Sequence, residues 1–290
     1  MILDIKKQYA FLAKLRYFIH LWQYYTKKSL LCPKDSFGWR SLFFLFFLIK
    51  NPIYAQTSAV NQAVGDFHFL YMSIRDGEIN EQLAQDSTRN LLARIKDYYI
   101  ENGGQPDSAS HWVFPVEGYG MNMIGGKKGS DYIAGNYNFY NTARVHVHPA
   151  HDIFVSDNNQ DKLEDKTQLP INILSFSSGI VVSVEYFWDI SSTKRGGNFI
   201  YIYEPFSKKM YYYAHNELVL VQLGDIVKAG QNIATMGRSG FNAYKERSPT
   251  HLHFSMLQFD EQGNARPIKP YSFLLKAKAH PKSFLEGRTF

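Results

Sequence analysis

Between residues 85 and 102 apolar side chains recur at three-and-four spacing, so Leu91, Leu92, Ile95, Tyr98 and Tyr99 share one stripe of a helix. Asp86 or Ser87 can cap its start, and Asn102-Gly103-Gly104 stops it, which predicts a helix over Gln85–Asn102. The stretch before it, Gln56–Gly77, is mixed in character and predicts no single element. Beyond Pro106 the texture changes. Short runs rich in Val, Ile, Tyr and Phe alternate with Gly, Asn and Pro: Trp112–Val116, Val145–His148, Gly179–Tyr186, Asn198–Tyr203, Met210–His215, Ile226–Met236 and Leu252–Phe259. The pattern predicts a mainly β protein: an antiparallel β-sheet domain over 110–275, a helical lead-in over 56–109 and a C-terminal tail, 276–290. No internal repeat is visible.

One hydrophobic run fits neither texture. Leu42–Ile49 (LFFLFFLI) is unbroken, follows Arg40 and precedes Pro52 and Ala55, as the apolar centre of an export signal would. It is too short to cross a bilayer as a helix. Residues 1–55 are therefore expected to be an export signal with a long basic leader, and the membrane is expected to matter only there. Lys50 and Ile53 depart from the usual cleavage region, and a start codon placed too far upstream would account for the length of the leader. Tyr9–Leu31 also reads as an aromatic-rich amphipathic stretch.

Composition sharpens this division. The chain has 290 residues, 45% hydrophobic and 16% aromatic, which excludes a disordered or collagen-like chain. Its formal charge of +6 invites a nucleic-acid partner until it is located. Residues 1–55 carry nine Lys and Arg against Asp4 and Asp35, so they hold +7 and residues 56–290 hold −1. Without the leader the electrostatic case for nucleic acid disappears. Cys32 is the only cysteine, so no intramolecular disulfide and no thiolate zinc cluster can form, and any metal must use His and carboxylate.

Six of the ten histidines, His146, His148, His151, His215, His251 and His253, lie between 146 and 253. His148 and Asp152 stand four apart in HPAHD, and His251 and His253 two apart in THLHF. On a strand, residues two or four apart share a face, so each pair can point into one cavity. Two His and one Asp would give zinc three protein ligands and leave a fourth position for water. Further imidazoles could move protons.

H-x-x-x-D at His148–Asp152, Tyr-Ala-His at Tyr213–His215, GDIVKAGQNIATMG at Gly224–Gly237 and H-L-H at His251–His253 occur in that order. In this the sequence resembles the lysostaphin/LytM-type zinc metallopeptidases, which cut peptide cross-links of bacterial peptidoglycan, over residues 112–260. The resemblance implies a β domain with an open substrate groove and one zinc at its floor, held by His148, Asp152 and His253. It implies His215 and His251 as the catalytic pair. His251 could take the proton of the attacking water and His215 could hydrogen-bond or protonate the developing oxyanion, the sequence leaving open which histidine does which. It also implies a zinc-dependent endopeptidase in the periplasm, the cell envelope or outside the cell, acting as a monomer on peptidoglycan.

Each residue also has a plainer reading. His148 and Asp152 could form a surface hydrogen bond, His251 and His253 could be one buried and one exposed strand residue, and His215 could belong to an aromatic cluster. A non-catalytic peptidoglycan-binding or hydrolase-activating module of the same fold is the alternative function. A carrier domain would modify a hairpin lysine, and Lys228 sits instead in Val-Lys-Ala. His146 and His151 are expected to support the ligands or face solvent. Ser156–Gln168 carries Asp157, Asn159, Asp161 and Asp165 at calcium-loop offsets, but Lys162 and Gln168 replace the expected Gly and Glu, which favours a solvated loop. Trp188, Tyr211–Tyr213, Phe241 and Tyr244 could line the groove. Arg238, Lys245 and Arg247 could meet a substrate carboxylate, and 57–105 could cover the groove as a lid.

Overall fold

The computed structural model describes residues 62–141 and 147–281, all within one compact unit, Ala59–Phe290. The expected export segment, Cys32, His146 and residues 282–290 lie outside the described residues. No described helix is long and apolar enough to cross a membrane.

Two helices come first. Helix α1 (Gln62–Asp76) buries Ala63, Val64, Phe67, Leu70, Tyr71 and Ile74, a stripe at three-and-four spacing within the stretch that looked mixed. Phe69, exposed on the opposite side, is part of what blurs that stripe in the sequence. Helix α2 (Glu81–Glu101) starts earlier than expected. Asn80, not Asp86 or Ser87, is its cap, and the Asn80 side chain accepts from the amides of Gln82 (3.0 Å) and Leu83 (3.2 Å). The expected stop holds, because Gly103 at φ 82° turns the chain and the Gly104 amide donates to Tyr99 O.

Among the described residues nine strands form one sheet: β1 (Ala150–Phe154), β2 (Asn172–Leu174), β3 (Gly179–Glu185), β4 (Asn198–Glu204), β5 (Lys209–Val219), β6 (Ile226–Val227), β7 (Asn232–Met236), β8 (His251–Phe259) and β9 (Ala265–Ile268). A short helix α3 (Tyr271–Leu274) follows. The main path runs β1-β8-β5-β4-β3-β6, with β7 joining β2 to β5 and β9 flanking β8, and every strand pair is antiparallel. Three expected strands differ. Ile226–Met236 is broken at the Lys228–Gln231 turn into β6 and β7. Trp112–Val116 contributes only bridges from Val113 and Val116, and His148 makes a single bridge to Ile133.

Strands β3 and β4 are buried almost throughout because the sheet is covered on both faces. On one face Ile200, Ile202, Tyr211, Tyr213, Leu252, Phe254 and Met256 pack with Phe114, Ile173, Phe176 and Ile233. On the other, Ile180, Val182, Phe199, Tyr201, Tyr203, Met210, Leu257 and Phe259 pack under α1 and α2. His251 and His253 alternate with Leu252 and Phe254 along β8, so they lie on this second face, the one the helices cover further along. A row of rings connects the two regions. Tyr71 of α1 lies 4.8 Å from Tyr201, Tyr201 4.4 Å from Tyr212, and Tyr212 6.0 Å from His253, between ring centres.

Candidate metal centre

The register of β1 against β8 sets Asp152 directly opposite His253 and Phe154 opposite His251. Strand β5 lies on the other side of β8, with Ala214 opposite His253. His215 therefore arrives beside the same spot, but by an irregular route. Between the pairs Asn198–Asn216 and Ile200–Tyr213, two residues of β5, Ala214 and His215, face the single Phe199 of β4. His215 is in this bulge at φ 70°, a left-handed backbone that a β-carbon disfavours. The bulge is held by tight neighbours. The His215 amide donates to Gly196 O (3.0 Å), and its Nδ1 lies 2.7 Å from Ser239 O. Gly197 and Gly240, both at positive φ, leave no room for a β-carbon: one at Gly197 would run into the Ser239 backbone, and one at Gly240 into Arg195 O and the His215 ring.

His148 reaches the site differently from the strand alternation expected of it. It precedes β1, and its backbone exchanges two 2.8 Å hydrogen bonds with Ile133. Its Nδ1 lies 3.1 Å from Asp131 O. A carbonyl only accepts, so Nδ1 carries the hydrogen and Nε2 of the neutral ring carries a lone pair. The same argument applies to His215 on Ser239 O and to His251, whose Nδ1 lies 2.7 Å from Pro249 O.

Three atoms converge. His148 Nε2 and His253 Nδ1 each lie 3.1 Å from Asp152 Oδ1 and 3.2 Å from each other. Among the described residues this is the one group of His, Cys, Asp and Glu placed to share a metal ion. The lone pair of neutral His148 points at a carboxylate oxygen, so the trio wants a cation or an extra proton between its members. The spacing suits zinc, since tetrahedral bonds of about 2.0–2.1 Å set neighbouring donor atoms about 3.3 Å apart. The charges respond accordingly. The hydrogen bond to Asp152 raises the His148 pKa. Burial works to raise that of Asp152, yet the His148 and His253 rings against it, which donate to the carboxylate when protonated, hold it far below the usual range. Desolvation lowers His253, and it holds His215 well below the ordinary imidazole value, with His251 and His253 adding to the effect. The His251 and His215 rings meet edge to face with centres 4.9 Å apart, and His251 Nε2 lies 3.8 Å from Asp152 Oδ1.

All five residues singled out in the sequence thus meet at one place. Several others go elsewhere. Tyr211 and Tyr213 are in the core on the far face, and only Tyr212 of that trio faces the site. Arg238 is buried and donates to Ser248 O, Lys245 O and Thr250 Oγ1, so it holds its own loop together. In the 156–168 loop, Asp157, Asp161 and Asp165 accept from backbone amides of that loop and do not converge as a metal site. His151 does not face solvent: it is fully buried behind the trio, with its Nδ1 2.8 Å from Asp131 Oδ1.

Residues 164–270 match the sequence model of peptidase family M23. That segment contains His215, His251 and His253 and begins after His148 and Asp152, which the β1–β8 pairing and the Ile133 bridge deliver. Among solved structures, a Ruminococcus gnavus protein named as a LytM-type glycyl-glycine endopeptidase is 24% identical, covering 59% of this chain and 62% of its own, with a TM-score of 0.40. A zinc-containing peptidase from Vibrio cholerae is 23% identical over 59% of this chain and 40% of its own, TM-score 0.35. The lysostaphin catalytic domain from Staphylococcus simulans is 22% identical over 61% of this chain and 96% of its own, TM-score 0.31. The present chain thus spans less than two thirds of the first two. The matched segment, residues 164–270, carries the H-L-H and Tyr-Ala-His histidines that meet in space, and over that segment the chain is similar to peptidase family M23.

Proposed function

We propose that this chain is an exported zinc-dependent endopeptidase that hydrolyses peptide bonds of bacterial cell-wall peptidoglycan. The observation that carries the reading is the convergence of His148 Nε2, Asp152 Oδ1 and His253 Nδ1 beside two further histidines anchored through Nδ1. One zinc per chain would be held by His148, Asp152 and His253. When bound it supplies Lewis acidity to the scissile carbonyl and acidifies the attacking water. His251 and His215 supply the proton handling. With Nδ1 committed to Pro249 O and Ser239 O, the Nε2 atom of each is an acceptor in the resting state. A proton taken from water at His251 Nε2 can pass to the leaving amine. His215, kept neutral by burial with its hydrogen on Nδ1, offers Nε2 as an acceptor for the second proton of the attacking water and, once it holds that proton, can donate toward the developing oxyanion.

The −1 charge of residues 56–290 supports a reading without nucleic acid, and the Leu42–Ile49 run supports export to the periplasm, envelope or exterior. The test is zinc stoichiometry of the purified protein together with mass analysis of fragments released from purified peptidoglycan. One zinc and new amine and carboxylate ends support the proposal. Zinc without fragments points to a binding or activating module, and no zinc removes the metallopeptidase reading.

A further inference from the structure

His151 points away from the trio, on the opposite face of β1 from Asp152, and is 0% exposed. Its Nδ1 lies 2.8 Å from Asp131 Oδ1. Asp131 is the residue whose main-chain oxygen accepts from His148 Nδ1 at 3.1 Å. One residue therefore holds a candidate metal ligand with its carbonyl and is itself held, through its carboxylate, by a buried imidazole. The packing leaves that carboxylate little freedom. A β-carbon on Gly125 would meet Asp131 Oδ2 at 2.6 Å, and one on Gly129 would meet the His151 ring at 2.7 Å. The Gly125 amide in turn donates to Asp152 O at 2.9 Å, so the same short segment touches the backbone of a second candidate ligand.

We propose that Asp131 and His151 form a positioning pair that presets the His148 imidazole for metal binding. The pair fixes the Asp131 carbonyl in line with His148 Nδ1, which selects the tautomer with a lone pair on Nε2 and stops the ring from swinging out of the site. The inference rests on the metal-site reading above. It competes with a simpler arrangement, in which the Ile133–His148 backbone bridge alone orients the ring.

The experiment measures metal affinity of the full chain, with Zn2+ by competition against a chromophoric chelator and with Co2+ through its visible absorption. Asp131→Ala and His151→Phe should each weaken Zn2+ binding about 10–100-fold, the usual effect of losing a partner behind a ligand. Asp131→Asn keeps an acceptor oxygen for His151 and should stay close to the parent. If the two residues act as one unit, the double variant should lose no more than either single one. The Co2+ spectrum of Asp131→Ala should shift, which a general loss of stability does not produce. Urea midpoints of the metal-free proteins separate unfolding from misorientation, and His151→Phe with Asp131→Asn keeps the comparison open should Asp131→Ala fail to fold. Unchanged affinity and spectrum in Asp131→Ala and His151→Phe, with the parent binding tightly, would overturn the pair and leave the bridge as sufficient. A parent that binds neither ion would instead overturn the metal-site reading itself.

Discussion

His253 stands directly across the ladder from Asp152, and its Nδ1 lies 3.1 Å from Asp152 Oδ1. Two proposed ligands separated by about a hundred residues are thus set by strand register. A slip of one residue in the β1–β8 pairing would send one of them to the opposite face.

This register makes the zinc prediction specific to residues. His148→Ala, Asp152→Ala and His253→Ala should each abolish stoichiometric zinc, while His251→Ala and His215→Ala should retain it and lose peptidoglycan cleavage by at least about a hundredfold. Metal analysis beside a cleavage assay checks both halves. Zinc loss in His251→Ala equal to that in His253→Ala would show that the roles are wrongly divided.

Chelation should stop cleavage without unfolding the domain. The sheet has packed residues on both faces independently of the trio, so the metal-free protein keeps its core. Far-ultraviolet circular dichroism should be unchanged after chelation, with a midpoint lowered only by the lost binding energy. Cooperative unfolding on chelation at room temperature would contradict this.

The β5 bulge yields a prediction away from any ligand. Gly197→Ala and Gly240→Ala would each force a β-carbon into backbone at a positive φ, at a cost on the order of 2–4 kcal/mol. Because these glycines pack around His215, cleavage should fall further than stability alone explains, with zinc retained. Denaturant midpoints and turnover, measured on the same samples, test it.

The site was legible in the sequence wherever periodicity or spacing carried it. Alternation along Leu252–Phe259 puts His251 and His253 on one face, and the strand cores of β3, β4 and β8 follow from their Val, Ile and aromatic content. What stayed hidden depends on contacts distant in the chain. His148 is placed by Ile133 through a lone bridge, and His215 by a bulge that no local pattern announces. Asp131 carries no motif, and its role follows only from having its carbonyl and carboxylate turned to different histidines. Helix α1 falls within the expected helical lead-in, but its bounds are not legible because the sheet under it, not its own amphipathicity, decides which of its many aromatics are inside. The start of α2 was misplaced because Asn80 precedes the strong apolar stripe by a turn or more.

That misplaced start can be checked directly. Asn80→Ala removes the acceptor of two helix amides and should cost about 1 kcal/mol. Asp86→Ala, at a partly exposed position inside the helix, should stay within about 0.5 kcal/mol of the parent. Equal effects in urea denaturation would argue against Asn80 as the cap.

The helical layer gives the last prediction, and it alters what a lid experiment can mean. Helices α1 and α2 share one hydrophobic cluster with Phe199, Tyr201, Tyr203, Leu257 and Phe259, so they belong to the core on the site-bearing face. A chain beginning at Ser110 would expose that face to water and is expected to aggregate, not to show a released activity. Tyr71→Ala is the milder probe. Tyr71 packs against Phe139, Phe199 and Tyr201, and its truncation should cost about 3–5 kcal/mol, by analogy with other buried aromatics. If α1 also restrains the site, cleavage by the folded fraction of Tyr71→Ala should rise, because the ring row through Tyr201 and Tyr212 to His253 is broken at its first member. If the layer is only structural, turnover per folded molecule should match the parent. Turnover normalised to the folded fraction from urea melts decides between the two, and a soluble, fully folded chain starting at Ser110 would refute the shared core.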